Sequence, residues 1–197
     1  MNSARKPNKT LPLLLACLLC LASVLTSCAV SESGTEEDGA ERYAELVGGI
    51  YGADRFMPAL EDLPAHTALG YHYRETPSVV STSFAITLFI TFGDNYEEAK
   101  AALTDRGDYL EDPKKDPRGF WLLPVTEFLY KGYTLAVIPV GDIPLFKIGL
   151  LGFDDEKRTI VYAYFYDNEL DYMAEGDEDP KAVMTHFMDE YFLWEEE

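Results

Sequence analysis

Two histidines and several acidic residues stand close together in the first half of the chain. His66 and His72 lie six residues apart, with Asp54, Glu61 and Asp62 upstream of them. Imidazole and carboxylate groups are ligands for zinc in hydrolytic sites. Ligand pairs on one strand face are two residues apart and those on one helix face three or four, so this spacing is not diagnostic. We therefore predict structural or surface histidines and no metal, with His66 and His72 as the candidate ligands if a metal binds.

Other catalytic signatures are missing from the sequence. The chain has no Gly-x-Ser-x-Gly segment, and Cys28 is the last of its three cysteines. Neither a serine nor a cysteine nucleophile is therefore indicated. A glycine-rich phosphate loop and a dinucleotide-binding fingerprint are also missing. We predict no catalytic residues and no cofactor, and we favour a non-catalytic role over an enzyme.

Three tyrosines in the C-terminal half form a candidate binding face. Tyr162, Tyr164 and Tyr166 alternate along a predicted strand and therefore share one of its sides. Flat, amphipathic tyrosine rings are enriched at binding surfaces. The alternative, which we favour, is that a helix covers this side of the sheet.

The N-terminus has the features of an export signal. Residues 1–10 carry three basic residues and no acidic one, and an apolar run follows up to Leu25. As a helix this run would span roughly 22 Å, which is less than a bilayer core requires. A basic segment followed by a short apolar one is typical of a signal peptide.

The segment Leu25-Thr26-Ser27-Cys28 resembles the lipobox of bacterial prolipoproteins. The resemblance covers residues 1–28 and implies a diacylglyceryl group on Cys28, with signal-peptidase cleavage between Ser27 and Cys28. Two acyl chains anchor a protein stably, where one binds only reversibly. The resemblance thus implies an extracytoplasmic, lipid-anchored protein. Lipoproteins that stay on the inner membrane of double-membrane bacteria typically carry Asp after the lipidated cysteine. With Ala29 at that position, the chain resembles outer-membrane lipoproteins if the host has two membranes.

The chain then divides into a predicted tether and one domain. Residues 1–27 are the predicted signal peptide. Residues 28–39 are small, polar and acidic, which favours a lipidated, disordered tether that holds the domain away from an anionic membrane. Residues 40–197 contain enough apolar and aromatic side chains for a single globular α+β domain.

Apolar periodicity predicts the elements of this domain. Helical spacing marks residues 40–50 and a second helix that Asp94 would cap and Gly107 would end. A third helix starts at Asp179, and its predicted apolar stripe extends to Trp194. Strand patterns mark residues 67–74, 80–92, 120–123, 125–130, 133–140, 146–153 and 158–166, with Lys131-Gly132 as a hairpin turn.

This order of elements is typical of an α+β fold. We predict an antiparallel meander sheet of about five to six strands, with two to three helices packed mainly on one face. Hydroxyl residues such as Ser83 and Thr87 alternate with apolar ones in residues 80–92, which indicates that the other face lies toward water.

The charge of the chain limits its partners. The formal net charge is −19, and removal of residues 1–27, which hold three basic residues and no acid, leaves −22. Such a field repels phosphate groups, which excludes nucleic acid as a partner and favours basic ones.

These features predict a membrane-anchored, surface-exposed lipoprotein that acts as a non-catalytic binding or interaction module. Its partner would be a protein, a peptide or an envelope component. One alternative is an extracytoplasmic hydrolase, metal-assisted through His66 and His72. Another is an acidic immunity or inhibitor protein that blocks a basic toxin.

Overall fold

The computed structural model describes residues 29–78, 80–105, 108–140 and 146–194. Cys28 and the predicted signal peptide lie outside these residues. Three α-helices are present in the described part: α1 (Glu36–Gly49), α2 (Tyr96–Thr104) and α3 (Pro180–Tyr191). The strands are β1 (Val30–Thr35), β2 (Ala68–Pro77), β3 (Thr82–Thr91), β4 (Lys114–Lys115), β5 (Trp121–Leu123), β6 (Glu127–Tyr130), β7 (Tyr133–Pro139), β8 (Phe146–Asp154) and β9 (Thr159–Asp167).

Seven of these strands form one antiparallel sheet in the order β1-β2-β3-β9-β8-β7-β6, and β4 pairs with β5 in a small second sheet. Two meanders therefore meet where β3 pairs with β9, in a register that joins Phe84 to Tyr166 and Thr91 to Thr159. The predicted α+β antiparallel meander is confirmed. The main sheet has more strands than predicted because β1 lies in the segment predicted to be a tether.

Helices cover both faces of the sheet. The first face lies under α1, two short 3-10 turns (Ala53–Arg55 and Leu60–Asp62) and α2. Its buried side chains include Tyr71, Ile86, Leu88, Leu151, Tyr162 and Tyr164. The second face lies under α3, where Phe187 packs against Phe165 with ring centroids 4.8 Å apart. Two of the three α-helices thus share the first face.

The hydroxyl residues of β3 do not face water in the middle of the sheet. Ser83 and Thr87 are 6% and 1% exposed, so the prediction of an open second face is wrong here. The physical reason is that α3 buries the adjacent strands, and β9 is buried on both sides from Thr159 to Phe165. β3 keeps its alternation of hydroxyl and apolar residues although this face is covered, so the alternation alone does not distinguish a solvent face from a covered one.

The prediction of a disordered tether over residues 28–39 is also wrong from Val30 onward. β1 pairs with β2 from Val30 with Glu75 to Thr35 with Gly70, and α1 begins at Glu36. The strand obtains its hydrogen bonds from this ladder, so it does not depend on burial of its own polar side chains.

Two further contacts hold this segment to the domain. The ring of Tyr71 packs so closely on Gly34 and Gly39 that a Cβ at either position would lie 2.6 or 2.7 Å from it. The Arg42 guanidinium in α1 donates two hydrogen bonds of 2.8 and 3.0 Å to the Glu32 carboxylate in β1, which lowers the pKa of that carboxyl group.

The helix ends agree only in part with the predictions. The Asp179 carboxylate accepts a hydrogen bond of 3.3 Å from the Ala182 amide and caps α3, as predicted. Asp94 does not cap α2, which instead starts after Asn95, and the Asn95 amide group donates to the Ala65 carbonyl at 2.5 Å. Gly107, the predicted helix stop, lies outside the described residues.

Candidate functional site

A cleft of about 1020 Å³ opens on the second face at one end of the main sheet. We call this the Thr35 end, because β1 ends there, and the opposite end the Val30 end. α3 packs on the strands from β3 to β6 but leaves the second face of β1 and β2 uncovered. The resulting space is large enough for a small molecule or a short peptide.

The C-terminal segment builds an aromatic wall of the cleft. α3 ends at Tyr191, and the chain then places Trp194 against three aromatic rings in edge-to-face contact. Ring centroids are 5.0 Å apart for Phe89, 5.3 Å for Tyr130 and 5.4 Å for Tyr133. Such packing fixes the indole, which is only 7% exposed. The wall is therefore closely packed and largely apolar.

Two lysines stand at the rim of the cleft because each lies in a tight hairpin turn. Lys131 and Gly132 connect β6 to β7 with φ values of 47° and 88°, so the predicted hairpin turn is confirmed. Lys157 lies in the turn between β8 and β9. The Lys131 ammonium donates to the Trp194 carbonyl at 3.4 Å, and that of Lys157 lies 5.9 Å from the Tyr133 ring centroid.

Hydroxyl groups supply the polar part of the cleft lining. The hydroxyls of Thr91 and Thr159 lie 3.2 Å apart in neighbouring strands. The exposed side chains of Ser33 and Thr35 on β1 border the same space. Thr87, four residues before Thr91 in β3 and outside the cleft lining, has a buried hydroxyl with no hydrogen-bond partner among the described residues. The cleft thus combines aromatic rings, hydroxyl groups and the ammonium groups of two lysines.

Ser33 and His72 form a side-chain pair at the β1 side of the cleft. The two residues are opposite each other in the antiparallel ladder, and the Ser33 Oγ lies 2.7 Å from the His72 Nδ1. The imidazole also packs edge-on against Phe89, with ring centroids 5.5 Å apart. A serine hydroxyl hydrogen-bonded to an imidazole is the arrangement that a base-activated nucleophile requires.

Comparison of the chain with protein-family models, with curated proteins and with solved structures gave no match. In the described part of the chain, none of the helices has the length and apolar character needed to cross a membrane.

Two of the three tyrosines of the candidate binding face are buried. Tyr162 and Tyr164 are 5% and 0% exposed on the first face of the sheet, whereas Tyr166, next to the last residue of β9, is half-buried. Phe56, which follows the first 3-10 turn, packs on the rings of Tyr162 and Tyr164 with centroids 5.9 and 6.2 Å away. Burial raises the pKa of the Tyr164 hydroxyl. Tyr162 and Tyr164 therefore lie on a covered face of the sheet, which is the alternative that we favour. A partner cannot reach Tyr164 in this structure.

The two candidate metal ligands have separate partners. His66 precedes β2, and its ring nitrogens lie 2.9 Å from the Pro64 carbonyl and 3.0 Å from the Glu36 carboxylate. His72 instead pairs with Ser33. No group of three or more histidine, cysteine, aspartate or glutamate side chains is close enough to hold a metal among the described residues. The geometry gives no support to a metal site that unites the two histidines.

The cleft is not visible in the sequence because its parts are distant in the chain. Trp194 is predicted as part of the apolar stripe of the last helix, but α3 ends before it. Ser33 lies in the predicted tether. The one local signal was the Lys131-Gly132 turn, which places a lysine at a hairpin tip but does not reveal what lies beside it.

Proposed function

We propose that the protein is a lipid-anchored, extracytoplasmic lipoprotein that acts as a non-catalytic binding module, and that its ligand occupies the cleft at the Thr35 end. The observation that carries this proposal is the cleft itself, with a closely packed aromatic wall around Trp194 and an uncovered floor on β1 and β2. The lipobox-like segment that ends at Cys28 supports the anchor.

The lining indicates the chemistry of the ligand. Lys131 and Lys157 place two positive charges at the rim of a protein whose net charge is strongly negative, so an anionic group is attracted there. The rings of Phe89 and Trp194 favour an apolar portion beside it. We infer a peptide or envelope component that carries a carboxylate or phosphate next to an apolar group. The acidic remainder of the surface favours basic regions in a larger partner.

Site-specific photocrosslinking on intact cells tests this proposal. A photoreactive amino acid at Thr35, an exposed cleft residue, is compared with the same amino acid at Glu98, which is exposed on α2 over the first face. Mass spectrometry of the adducts should find one dominant species from position 35 that is missing from position 98.

Charge reversal shows whether the captured species depends on the rim. Lys131→Glu together with Lys157→Glu should abolish the adduct at position 35, because an anionic group would then be repelled. Lys181→Glu, an exposed residue of α3 that does not line the cleft, is the matched control and should leave the adduct unchanged. Equal adducts at positions 35 and 98, or an adduct that survives the double reversal, would contradict a binding role of the cleft.

The Ser33 and His72 pair favours a second candidate function, an extracytoplasmic hydrolase. The 2.7 Å contact would let His72 accept the hydroxyl proton as Ser33 attacks an acyl or phosphoryl group and then pass that proton to the leaving group as its bond breaks. Water would then release the acyl or phosphoryl group from Ser33 and restore the hydroxyl. The pair borders the cleft, so a substrate bound there would be within its reach.

A fluorophosphonate probe separates the two functions. A hydrolase of this kind should label covalently at Ser33, with loss of the label in Ser33→Ala and His72→Ala. Ser31→Ala, which changes an exposed serine of the same strand, should keep the label. A protein that is folded and captures its ligand but takes no label at Ser33 is a binding module and not a serine hydrolase.

A further inference from the structure

The first strand places the start of the folded domain beside the turn between β2 and β3. Val30 pairs with Glu75, and β2 continues past this pair to Pro77 before the chain turns into β3 at Thr82. The turn is closed by a hydrogen bond of 2.7 Å from the Ser78 amide to the Ser81 carbonyl. We call Ser78, Val80 and Ser81 the hairpin tip. It protrudes beyond β1 at the Val30 end.

The distance between this tip and the proposed lipid attachment site is limited by the chain. Only Ala29 separates Cys28 from Val30, so their Cα atoms can be at most ~7 Å apart. Pro77 lies two residues beyond Glu75, which is also ~7 Å along a strand, and the tip extends farther. A lipid on Cys28 therefore cannot hold the hairpin tip away from the membrane surface.

The composition of this end suits contact with lipid headgroups. Residues 76–82 contain no charged side chain, although the chain as a whole is strongly acidic. Val80 and Val30 are among the most exposed large apolar residues, at 79% and 53%. An uncharged tip with Val80 exposed avoids the repulsion that anionic lipids exert on the rest of the surface.

Two backbone amides of the tip already have hydrogen-bond acceptors within the protein. The Ser78 Oγ accepts hydrogen bonds from the amides of Val80 and Ser81, at 3.3 and 3.0 Å. These two donors therefore lose little when water is withdrawn.

We propose that the hairpin tip rests in the headgroup layer of the membrane that carries the anchor, with Val80 inserted and the sheet standing away from the surface. This seating rests on the lipid anchor of the proposed function. Ala68, at the Thr35 end of β2, is nine residues from Pro77, which corresponds to ~30 Å along a strand. The cleft would therefore open about 30 Å above the membrane, where soluble partners reach it.

Depth-dependent fluorescence quenching tests the seating. Val80→Cys in the full-length, lipidated protein carries an environment-sensitive dye, and no other free thiol is expected in the mature chain once Cys28 is modified. The matched control is Leu129→Cys on β6, which is similarly exposed at 71% but lies on the far edge strand. Both proteins are reconstituted in phosphatidylcholine vesicles that contain a lipid with a nitroxide on its headgroup.

We expect a several-fold loss of fluorescence at position 80 and little loss at position 129. Vesicle flotation is measured on the same samples, because it reports the anchor independently of the seating. Protein that floats but is quenched equally weakly at both positions would overturn the seating while leaving the anchor and the cleft proposals intact. Protein that does not float, or that carries no lipid by mass spectrometry, would overturn the anchor and the seating together.

Discussion

The Tyr164 hydroxyl donates a hydrogen bond of 2.8 Å to the backbone carbonyl of Tyr51, across the space between β9 and the loop after α1. This contact joins the centre of the sheet to a segment 113 residues earlier in the chain. The loop turns at Gly52, which has a φ of 80°, and a Cβ there would lie 3.1 Å from the same hydroxyl. Tyr164 therefore fixes the cover of the first face.

Replacement of Tyr164 should reduce stability. Tyr164→Phe leaves the Tyr51 carbonyl without this donor and should lower the free energy of unfolding by about 0.5–1.5 kcal/mol. Tyr164→Ala removes a fully buried ring and should lower it by about 3–5 kcal/mol. Urea unfolding followed by circular dichroism measures both. The exposed control Leu129→Ala should stay within about 0.5 kcal/mol of the parent protein. An unchanged Tyr164→Ala protein would mean that the ring lies on an open surface.

A methyl group at Gly34 should loosen the first strand. The added Cβ would overlap the ring of Tyr71, which is 2% exposed and has little room to move. We expect Gly34→Ala to cost about 1–3 kcal/mol of stability. The control is Gly48→Ala in α1, where a Cβ meets no atom within 4 Å and should stabilise the helix by up to about 1 kcal/mol. Equal stability of Gly34→Ala and the parent protein would restore the tether interpretation of this segment.

The contact between His66 and Glu36 should make stability depend on pH. The hydrogen bond to the Pro64 carbonyl, and after it the Glu36 carboxylate, raise the pKa of His66 above 6.5. A raised pKa in the folded state contributes stability that is fully present below the unfolded pKa and is lost as pH rises through the folded pKa. Glu36→Gln should therefore destabilise the protein at pH 5.5 more than at pH 8.5, and NMR titration should give a lower pKa for His66.

Glu37→Gln provides the matched control for this experiment. Glu37 also lies in the first turn of α1, so its replacement changes the interaction with the helix dipole to a similar extent. It is not among the groups that shift the pKa of His66. If both variants change stability equally at the two pH values, the His66 contact does not contribute to the pH dependence.

Replacement of Cys28 should stop maturation. We expect Cys28→Ser to accumulate as an uncleaved precursor without diacylglycerol, because the oxygen of serine does not replace the thiol that accepts the lipid. Intact mass spectrometry of the membrane fraction measures both changes. Cys20→Ser, within the apolar run, should be processed like the parent protein. A Cys28→Ser protein of mature length that is still bound to the membrane would refute the lipobox assignment.

Patterns of apolar residues are sufficient to predict the central strands of the sheet. The alternation in residues 80–92 and the apolar runs at 146–153 and 158–166 correspond to β3, β8 and β9. These strands bury most of their side chains, so their composition alone distinguishes them. The sequence of β1 lacks that signal. Its order comes from pairing with β2 and from the fit of Tyr71 on Gly34, both of which involve residues far away in the chain.

The cleft could not be predicted for a related reason. It exists because α3 covers the strands from β3 to β6 and leaves β1 and β2 open, and because Trp194 packs onto Phe89 after that helix ends. The periodicity of apolar residues along the sequence does not show which strands a helix will leave uncovered. Nor does it show where the segment after the last helix will pack. The Tyr162 and Tyr164 pattern, in contrast, was visible but ambiguous, since aromatic alternation is the same on a buried and an open face.

The pairing of β1 with β2 has a mechanical consequence for an anchored protein. With the lipid on Cys28, a force that lifts the domain from the membrane pulls β1 along its own axis, past the antiparallel β2. The six ladder positions from Val30 to Thr35 then bear the load at the same time, in shear, instead of opening one after another. A pulling force from fluid flow or from the removal of a bound partner would therefore have to break the whole ladder at once. The pairing of β1 with β2 thus gives the domain mechanical resistance at its point of attachment.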